Sequence, residues 1–296
     1  LSLVRQQGAL AKSDIARITG LSAQTVSVIM RSLESDGLLV RGEPIRGRIG
    51  QPSVPMSLAA DGAFFLGLKI GRRSADLVLV DFVGTVRGMR RRTYGYPTPS
   101  TIIAFVTEAL PGLTRNLPDA VHDRISGMGV AMPFQLWNWV QAVGAPQEEM
   151  DEWRNRDIQA ELATATGLPV YVQNDATSAC GAELVFGSGE RPRDFLYFYF
   201  GYFIGGGLVL NGQLFLGRSG NAAGVGPLPM PGAGGASPRL FDLASMSALA
   251  RAMDAAGEDS SQLWENPDQW QVSEPLLQDW IDRAAQGLAL ATLSAA

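Results

Sequence analysis

The sequence is poor in the residues that staple or ligate. One cysteine, Cys180, and one histidine, His122, occur among 296 residues. A lone cysteine excludes an internal disulfide framework and any cysteine-rich zinc site, and it suits a reducing compartment, so a cytoplasmic location is expected. Long apolar runs are missing as well. None approaches the ~18–20 residues of a membrane-spanning helix, and no signal-peptide pattern opens the chain, so no membrane partner is expected. Charged residues make up 18% and hydrophobic residues 46%. That balance excludes wholesale disorder and provides a sizeable core. The length suits two domains of ~100–200 residues each. Leu1 stands inside a helical pattern, so the sequence reads as part of something longer.

The net charge of −5 is unevenly spread. Residues 1–60 hold seven basic residues against four acidic ones, and the remainder holds 17 against 25. A basic head on an acidic body predicts that the head alone meets a polyanion, although a solvated basic face gives the same count.

Within that head, Ser13 can cap a helix over Asp14–Thr19, which Gly20 breaks. Ser22 can cap a second helix, Ala23 to about Ser35, with Val26, Ile29, Met30 and Leu33 on one apolar face. Gly37 ends it. Leu38–Val40 and Val54–Leu58 read as two strands around a loop from Pro44 to Pro52, which predicts a winged helix-turn-helix. The outward side of the second helix carries Gln24, Thr25, Ser27, Val28 and Arg31. Short polar groups near a helix start, with a cation further along, suit base edges and phosphates. The candidate DNA-binding residues are Ser22, Gln24, Thr25, Ser27 and Arg31, joined by Arg46, Arg48 and Gln51 of a glycine-rich basic wing. The competing reading is a helical protein–protein module with a solvated basic loop.

Asp61-Gly62 marks the boundary of a second domain, 61–296. Alternating apolar residues predict antiparallel strands at 64–71 and 74–81 and a third through 93. Helices at 100–116 and 156–166, a helix at 174–186, and apolar strands at 125–133, 170–173 and 195–200 complete an α/β pattern. The Arg90-Arg91-Arg92 run reads as a solvated strand edge that discourages pairing. His122 reads as a surface residue and Cys180 as a small buried one.

Three stretches of this body carry a resemblance. Asn174-Asp175-Ala176-Thr177-Ser178-Ala179-Cys180, then Ile204 through Gly217, then Gly220-Asn221-Ala222-Ala223-Gly224-Val225-Gly226 resemble, in order, motifs of the ROK family of repressors, open reading frames and sugar kinases. The resemblance covers nearly the whole chain. It implies an actin-like, ribonuclease-H-like two-lobed α/β domain, and the helix-turn-helix head places the chain among the repressors. It further implies a strand–helix portion beyond the closing helix at Glu274–Leu293, so truncation is expected at both ends.

The departures from the kinases bear on function. Their first phosphate loop begins with an Asp that serves Mg²⁺, whereas this chain reads Lys69-Ile70-Gly71-Arg72-Arg73. Their second loop is Gly-Thr-Gly-Ile-Gly-Gly-Gly. Here it is Gly201-Tyr202-Phe203-Ile204-Gly205-Gly206-Gly207, read as a tight strand turn that needs glycine. Gly224 and Pro227 stand where the family has its sugar-binding Glu and zinc-binding His, and Pro231–Ala244 lacks the zinc cysteines, so no metal and no cofactor are expected. Asp175 matches the kinase general base and, with Asn174, is a candidate sugar contact, although both residues also cap helices well. Trp153, with Trp137 and Trp139, offers a ring face to a sugar or packs in a core. The expected function is a sugar-controlled transcriptional repressor without catalysis. Its partners would be a double-stranded DNA operator, a sugar effector, and copies of itself as a homodimer or homotetramer. The alternatives are a sugar kinase with a regulatory head and a ligand-free dimerisation scaffold.

Overall fold

A computed structural model describes residues 1–45, 53–115, 117–138, 140, 144–187, 192–232, 237–265 and 269–295. Arg46, Arg48, Gln51 and Trp139 lie outside the described residues. The chain forms two compact units, Leu1–Gln173 and Asn174–Ala296.

The first unit begins with three helices, α1 (Ser2–Gln7), α2 (Lys12–Thr19) and α3 (Ala23–Ser35), followed by the antiparallel pair β1 (Leu39–Arg41) and β2 (Met56–Leu58). Val4, Ile15, Val26, Met30, Leu39 and Met56 form their shared core. Gly20 closes α2 in the left-handed conformation at φ 72°, which a residue with a Cβ adopts only at a cost. Backbone bonds Leu10–Met56 and Ile45–Ser53 add rungs on either side of the β1–β2 pair. The winged helix-turn-helix expectation is met, with two corrections. Helix α2 starts at Lys12 with Ala11 as its N-cap and no side-chain cap bond. Ser13 therefore lies inside the first turn rather than at the cap. On α3, Val26 and Met30 are buried, but Ile29 is 44% exposed, because the core is narrow and covers only the central rows of the helix.

Five strands follow in the spatial order β5-β4-β3-β6-β7: β3 (Phe64–Ile70), β4 (Ser74–Asp81), β5 (Val86–Thr93), β6 (Ile125–Met132) and β7 (Val170–Asn174). The first three are antiparallel neighbours, and β6 pairs parallel to β3 after a crossover through the helix Pro99–Thr114. Period-two alternation sends Phe64, Leu66, Leu68 and Ile70, with Ala75, Leu77 and Leu79, to one buried face. Ile102, Phe105 and Val106 of the crossover helix join the same core. The arginine run lies on the edge strand β5, as expected, and each of its members is paired. Arg91 meets Asp76 at 2.5 Å, Arg92 meets Glu108 at 2.5 Å, and Arg90 donates to the Gly112 carbonyl at 3.1 Å. His122 is exposed at the end of a short helix, its Nε2 2.9 Å from the Thr114 carbonyl.

The second unit opens with the helix Asp175–Phe186, packed on an antiparallel sheet of order β10-β9-β8: β8 (Phe195–Phe200), β9 (Ile204–Leu210) and β10 (Gln213–Phe215). Gly205, Gly206 and Gly207 lie within β9 rather than in a turn. The expected tight turn lies at 201–203, between β8 and β9, while Gly205 and Gly207 lack side chains so that the helix can lie against the strand, and Gly206 faces Tyr197 and Ala223. A Cβ on Gly207 would fall 2.1 Å from that of Cys180, and one on Gly205 would fall 2.8 Å from that of Ala176. Burial, and then Glu183, raise the Cys180 thiol to about 11, so it sits there as a neutral packing group.

Candidate functional site

On the head, α3 and its N-cap carry the described candidate residues for nucleic-acid contact. Ser22 adopts extended backbone and its Oγ accepts from the Thr25 N–H at 3.1 Å, while the two hydroxyls stand 2.8 Å apart. Ser22 therefore fixes the start of the helix, and Thr25 is held by it. Gln24, Thr25 and Arg31 are exposed and Ser27 is half-buried. Arg31 Nε donates to the Ser27 carbonyl at 3.1 Å, which lays the guanidinium along the helix surface. The fold brings Ser22, Gln24, Thr25, Ser27 and Arg31 onto one element. Val28, expected on the outward side, and Ile29, expected on the apolar face, are 54% and 44% exposed. Apolar side chains left outside on a helix of this type suit thymine methyl groups.

This head is seated on the five-stranded sheet through a polar joint. Arg5 Nη2 donates to the Phe82 carbonyl at 2.6 Å, and its guanidinium lies 5.0 Å from the Phe82 ring centre. The Phe82 N–H donates to the Ala60 carbonyl at 3.0 Å. Arg124 Nη1 donates to the Gly62 carbonyl at 3.2 Å, and a Cβ on Gly62 would stand 2.8 Å from the Gly37 carbonyl oxygen. Beneath the joint, Asp81 is 2% exposed. It accepts from the Val83 and Thr85 N–H groups at 3.0 and 2.9 Å and from Arg87 Nε at 2.7 Å, while Arg87 also reaches Asp61 at 3.2 Å. Burial raises the Asp81 carboxyl, but the Thr85 N–H, Arg87 and the Val83 N–H outweigh it and hold the carboxyl below its usual value. Such a group stabilises the fold above its unfolded pKa, and that contribution is lost as pH falls through the folded one. Asp81→Asn is expected to cost about 2 kcal/mol at neutral pH, and the loss should shrink towards pH 3. Urea unfolding at the two pH values checks both statements.

Trp153, on the helix Gln147–Asn155, is 6% exposed and its Nε1 donates to the Pro97 carbonyl at 2.9 Å. Its indole N–H is committed to the fold, yet its ring lines a hollow of about 330 Å³ together with Phe134, Gln135 and Trp137. At the start of the second unit, Asn174 is 9% exposed, and its Oδ1 accepts from the Ala176 and Thr177 N–H groups at 3.0 and 3.2 Å. Asn174 is thus the helix N-cap. Asp175 follows half-buried in the first turn, its Oδ1 3.0 Å from the Ala176 N–H.

The two loops that would hold a nucleotide in a kinase carry bulky side chains here. The β3–β4 turn is closed by the Gly71 N–H donating to the Ser74 carbonyl at 2.8 Å, and it carries Arg72 and Arg73, the latter bonded to the Gly95 carbonyl. In the other loop the Tyr202 ring lies 4.8 Å from Phe203 and 5.4 Å from Trp264, and Phe203 lies 5.6 Å from Phe241. These rings pack against one another. Zinc does not fit. The segment from Leu228 to Leu240 closes on itself by backbone bonds, with the Met230 N–H 2.7 Å from the Pro238 carbonyl and the Leu240 N–H 2.9 Å from the Leu228 carbonyl. Met230 and Leu240 are buried there in one cluster with Ala284 and Ala291 of the helix Glu274–Ala295, and apolar side chains are no zinc ligands. No helix among the described residues is long and apolar enough to cross a membrane.

Residues 1–40 match the pattern of winged helix-turn-helix DNA-binding domains. The chain is 20% identical to the xylose repressor of Bacillus subtilis over 76% of its own length and 58% of that protein. It is 29% identical to a transcriptional regulator of Mycobacterium tuberculosis, over 77% of this chain and 51% of that one. It therefore spans a little over half the length of these curated relatives. The crystal structure of a ROK family transcriptional regulator, a homologue of the Escherichia coli MLC protein, superposes with a TM-score of 0.64 at 21% identity, over 98% of this chain and 76% of that one. That likeness shows the actin-like α/β fold behind a helix-turn-helix head. Residues 65–264 match the ROK family, and the chain belongs to it.

Proposed function

We propose that the protein is a sequence-specific transcriptional repressor of sugar transport or metabolism genes, acting in the cytoplasm. Residues 1–60 bind the operator, and residues 61–296 bind a sugar effector and pair with further copies of the chain. The observation that carries this reading is the capped recognition helix α3, which presents Gln24, Thr25 and Arg31 outward from a head seated on a ROK body. Two copies so arranged would meet two operator half-sites, and an effector that favours one arrangement would shift the fit.

Phosphoryl transfer is no part of this proposal. Lys69 stands where a metal carboxylate is needed, and rings fill the second loop. The protein is expected to turn over ATP with hexoses no faster than the buffer blank. Turnover that depends on Asp175 would favour the kinase reading instead. A thermal-shift panel of sugars separates a sensor from a scaffold. A ligand at 100 times its Kd stabilises by about 2.7 kcal/mol, and no shift with any sugar would sink the sensor reading.

A further inference from the structure

We propose that the hollow beside Trp137 takes a monosaccharide bearing an anionic group, a carboxylate or a phosphate, and that Arg154 recognises the charge. The proposal rests on reading the body as a sugar sensor, and it names the chemical class sensed. The hollow, about 330 Å³, lies at the lower end of the ~300–1,000 Å³ range of ligand sites and suits one sugar ring better than a nucleotide. Its wall carries the rings of Phe134, Trp137 and Trp153 and, among the described residues, no charged side chain. Gln135 stands in its rim at φ 57°, a left-handed conformation that a residue with a Cβ holds at some strain.

A second, polar trough of about 460 Å³ adjoins it, sharing Ile158 and Val172 as common lining residues. Two arginines line the trough. Arg156 is taken up by Glu152, Glu161 and the Ser100 hydroxyl. Asp157 uses its Oδ1 to accept from the Ala160 N–H. Arg154 meets no carboxylate among the described residues, and its guanidinium stands 5.4 Å from the centre of the Trp137 ring that lines the hollow. The geometry is thus an aromatic surface for the C–H face of a sugar, with an exposed guanidinium at its edge. A neutral sugar gains only ordinary N–H···O bonds to its hydroxyls from that cation. A carboxylate or phosphate accepts two parallel N–H bonds from it, and apolar walls strengthen the attraction.

The test is titration of the intact protein, followed by tryptophan fluorescence, with uronates, aldonates, hexose 6-phosphates and the matching neutral sugars. An anionic sugar is expected to bind at least about tenfold more tightly than its neutral counterpart, with the advantage shrinking as salt rises. Comparing the acid and phosphate arms shows which anion is meant. Arg154→Gln should erase the advantage while leaving DNA binding unchanged, and Arg154→Lys should restore part of it. Equal affinity for charged and neutral sugars, or an advantage that survives Arg154→Gln, overturns the proposal and leaves the sensor reading standing. Binding of no sugar at all overturns both.

Discussion

Gly207→Val is expected to unfold the second unit. Gly207 sits in β9 under the helix Asp175–Phe186, where a Cβ would lie 2.1 Å from the Cys180 Cβ and 2.7 Å from its sulfur. Cys180 is wholly buried and its Cβ is fixed to the helix backbone, so the clash cannot be relieved by a rotamer change. Either the helix lifts off the sheet or the strand shifts. Overpacking of this kind costs about 3 kcal/mol or more, a large part of the ~5–15 kcal/mol that holds a typical domain together. Gly207→Ala should already destabilise. Cys180→Gly, harmful by itself because glycine weakens a helix, should recover part of the Gly207→Ala loss when the two are combined. Gly129 provides the contrast. It lies in β6 with nothing within 4 Å of a built Cβ, so Gly129→Ala should be neutral or slightly stabilising. Thermal unfolding of the five variants decides. Equal damage at 129 and 207 would show that strand propensity, and not helix–strand contact, sets the requirement.

The second large effect falls on DNA. Gln24→Ala is expected to lower operator affinity by about 1–3 kcal/mol and to relax preference at one base position. Gln24 is exposed in the first turn of a helix whose start Ser22 fixes, so its amide can reach a base edge without reorganising the backbone. Arg31→Ala should instead weaken binding by a similar factor on every sequence and flatten the salt dependence, because its guanidinium runs along the helix surface two turns further on. Val28→Ser, at a position 54% exposed, should reduce only the advantage of thymine-bearing sites. Anisotropy titrations on a systematic set of single-base variants separate these patterns. Uniform loss from Gln24→Ala would remove it from base readout. None of the three should change the melting temperature by more than a degree or two, since none belongs to the core.

Local rules carried much of this fold into view beforehand. Period-two alternation placed β3 and β4 almost to the residue, and the Ser22 cap placed the start of α3. Where a single residue served two purposes, the pattern misled. Ile29 keeps helical spacing with Val26 and Met30, yet a three-helix head is too small to bury a third row. The helix Gln147–Asn155 went unread because only Met150 and Trp153 mark its inner face amid polar residues. Gly205 and Gly207 read as part of the turn before them because glycine requirements from turns and from close helix packing are indistinguishable without the partners, Ala176 and Cys180. Asp81 was invisible for a related reason. It continues a buried alternating row, and only the fold supplies the two N–H groups and the arginine that make a carboxylate tenable there. The candidate ligand residues divided in the same way. Asn174 is spent on capping and the Trp153 indole N–H on the Pro97 carbonyl, while Arg154, beside Trp153 in sequence, owes its interest to the Trp137 ring it meets.

The most direct test of the central claim is the affinity of the protein for a duplex selected from genomic fragments, measured against a scrambled duplex over a range of salt, with and without the sugar that most stabilises the protein. The account predicts a preference of roughly 10³-fold for the selected duplex, affinity that falls steeply with salt, and a change in affinity when the sugar is added. Equal affinity for both duplexes at every salt concentration, unmoved by any sugar, would contradict it.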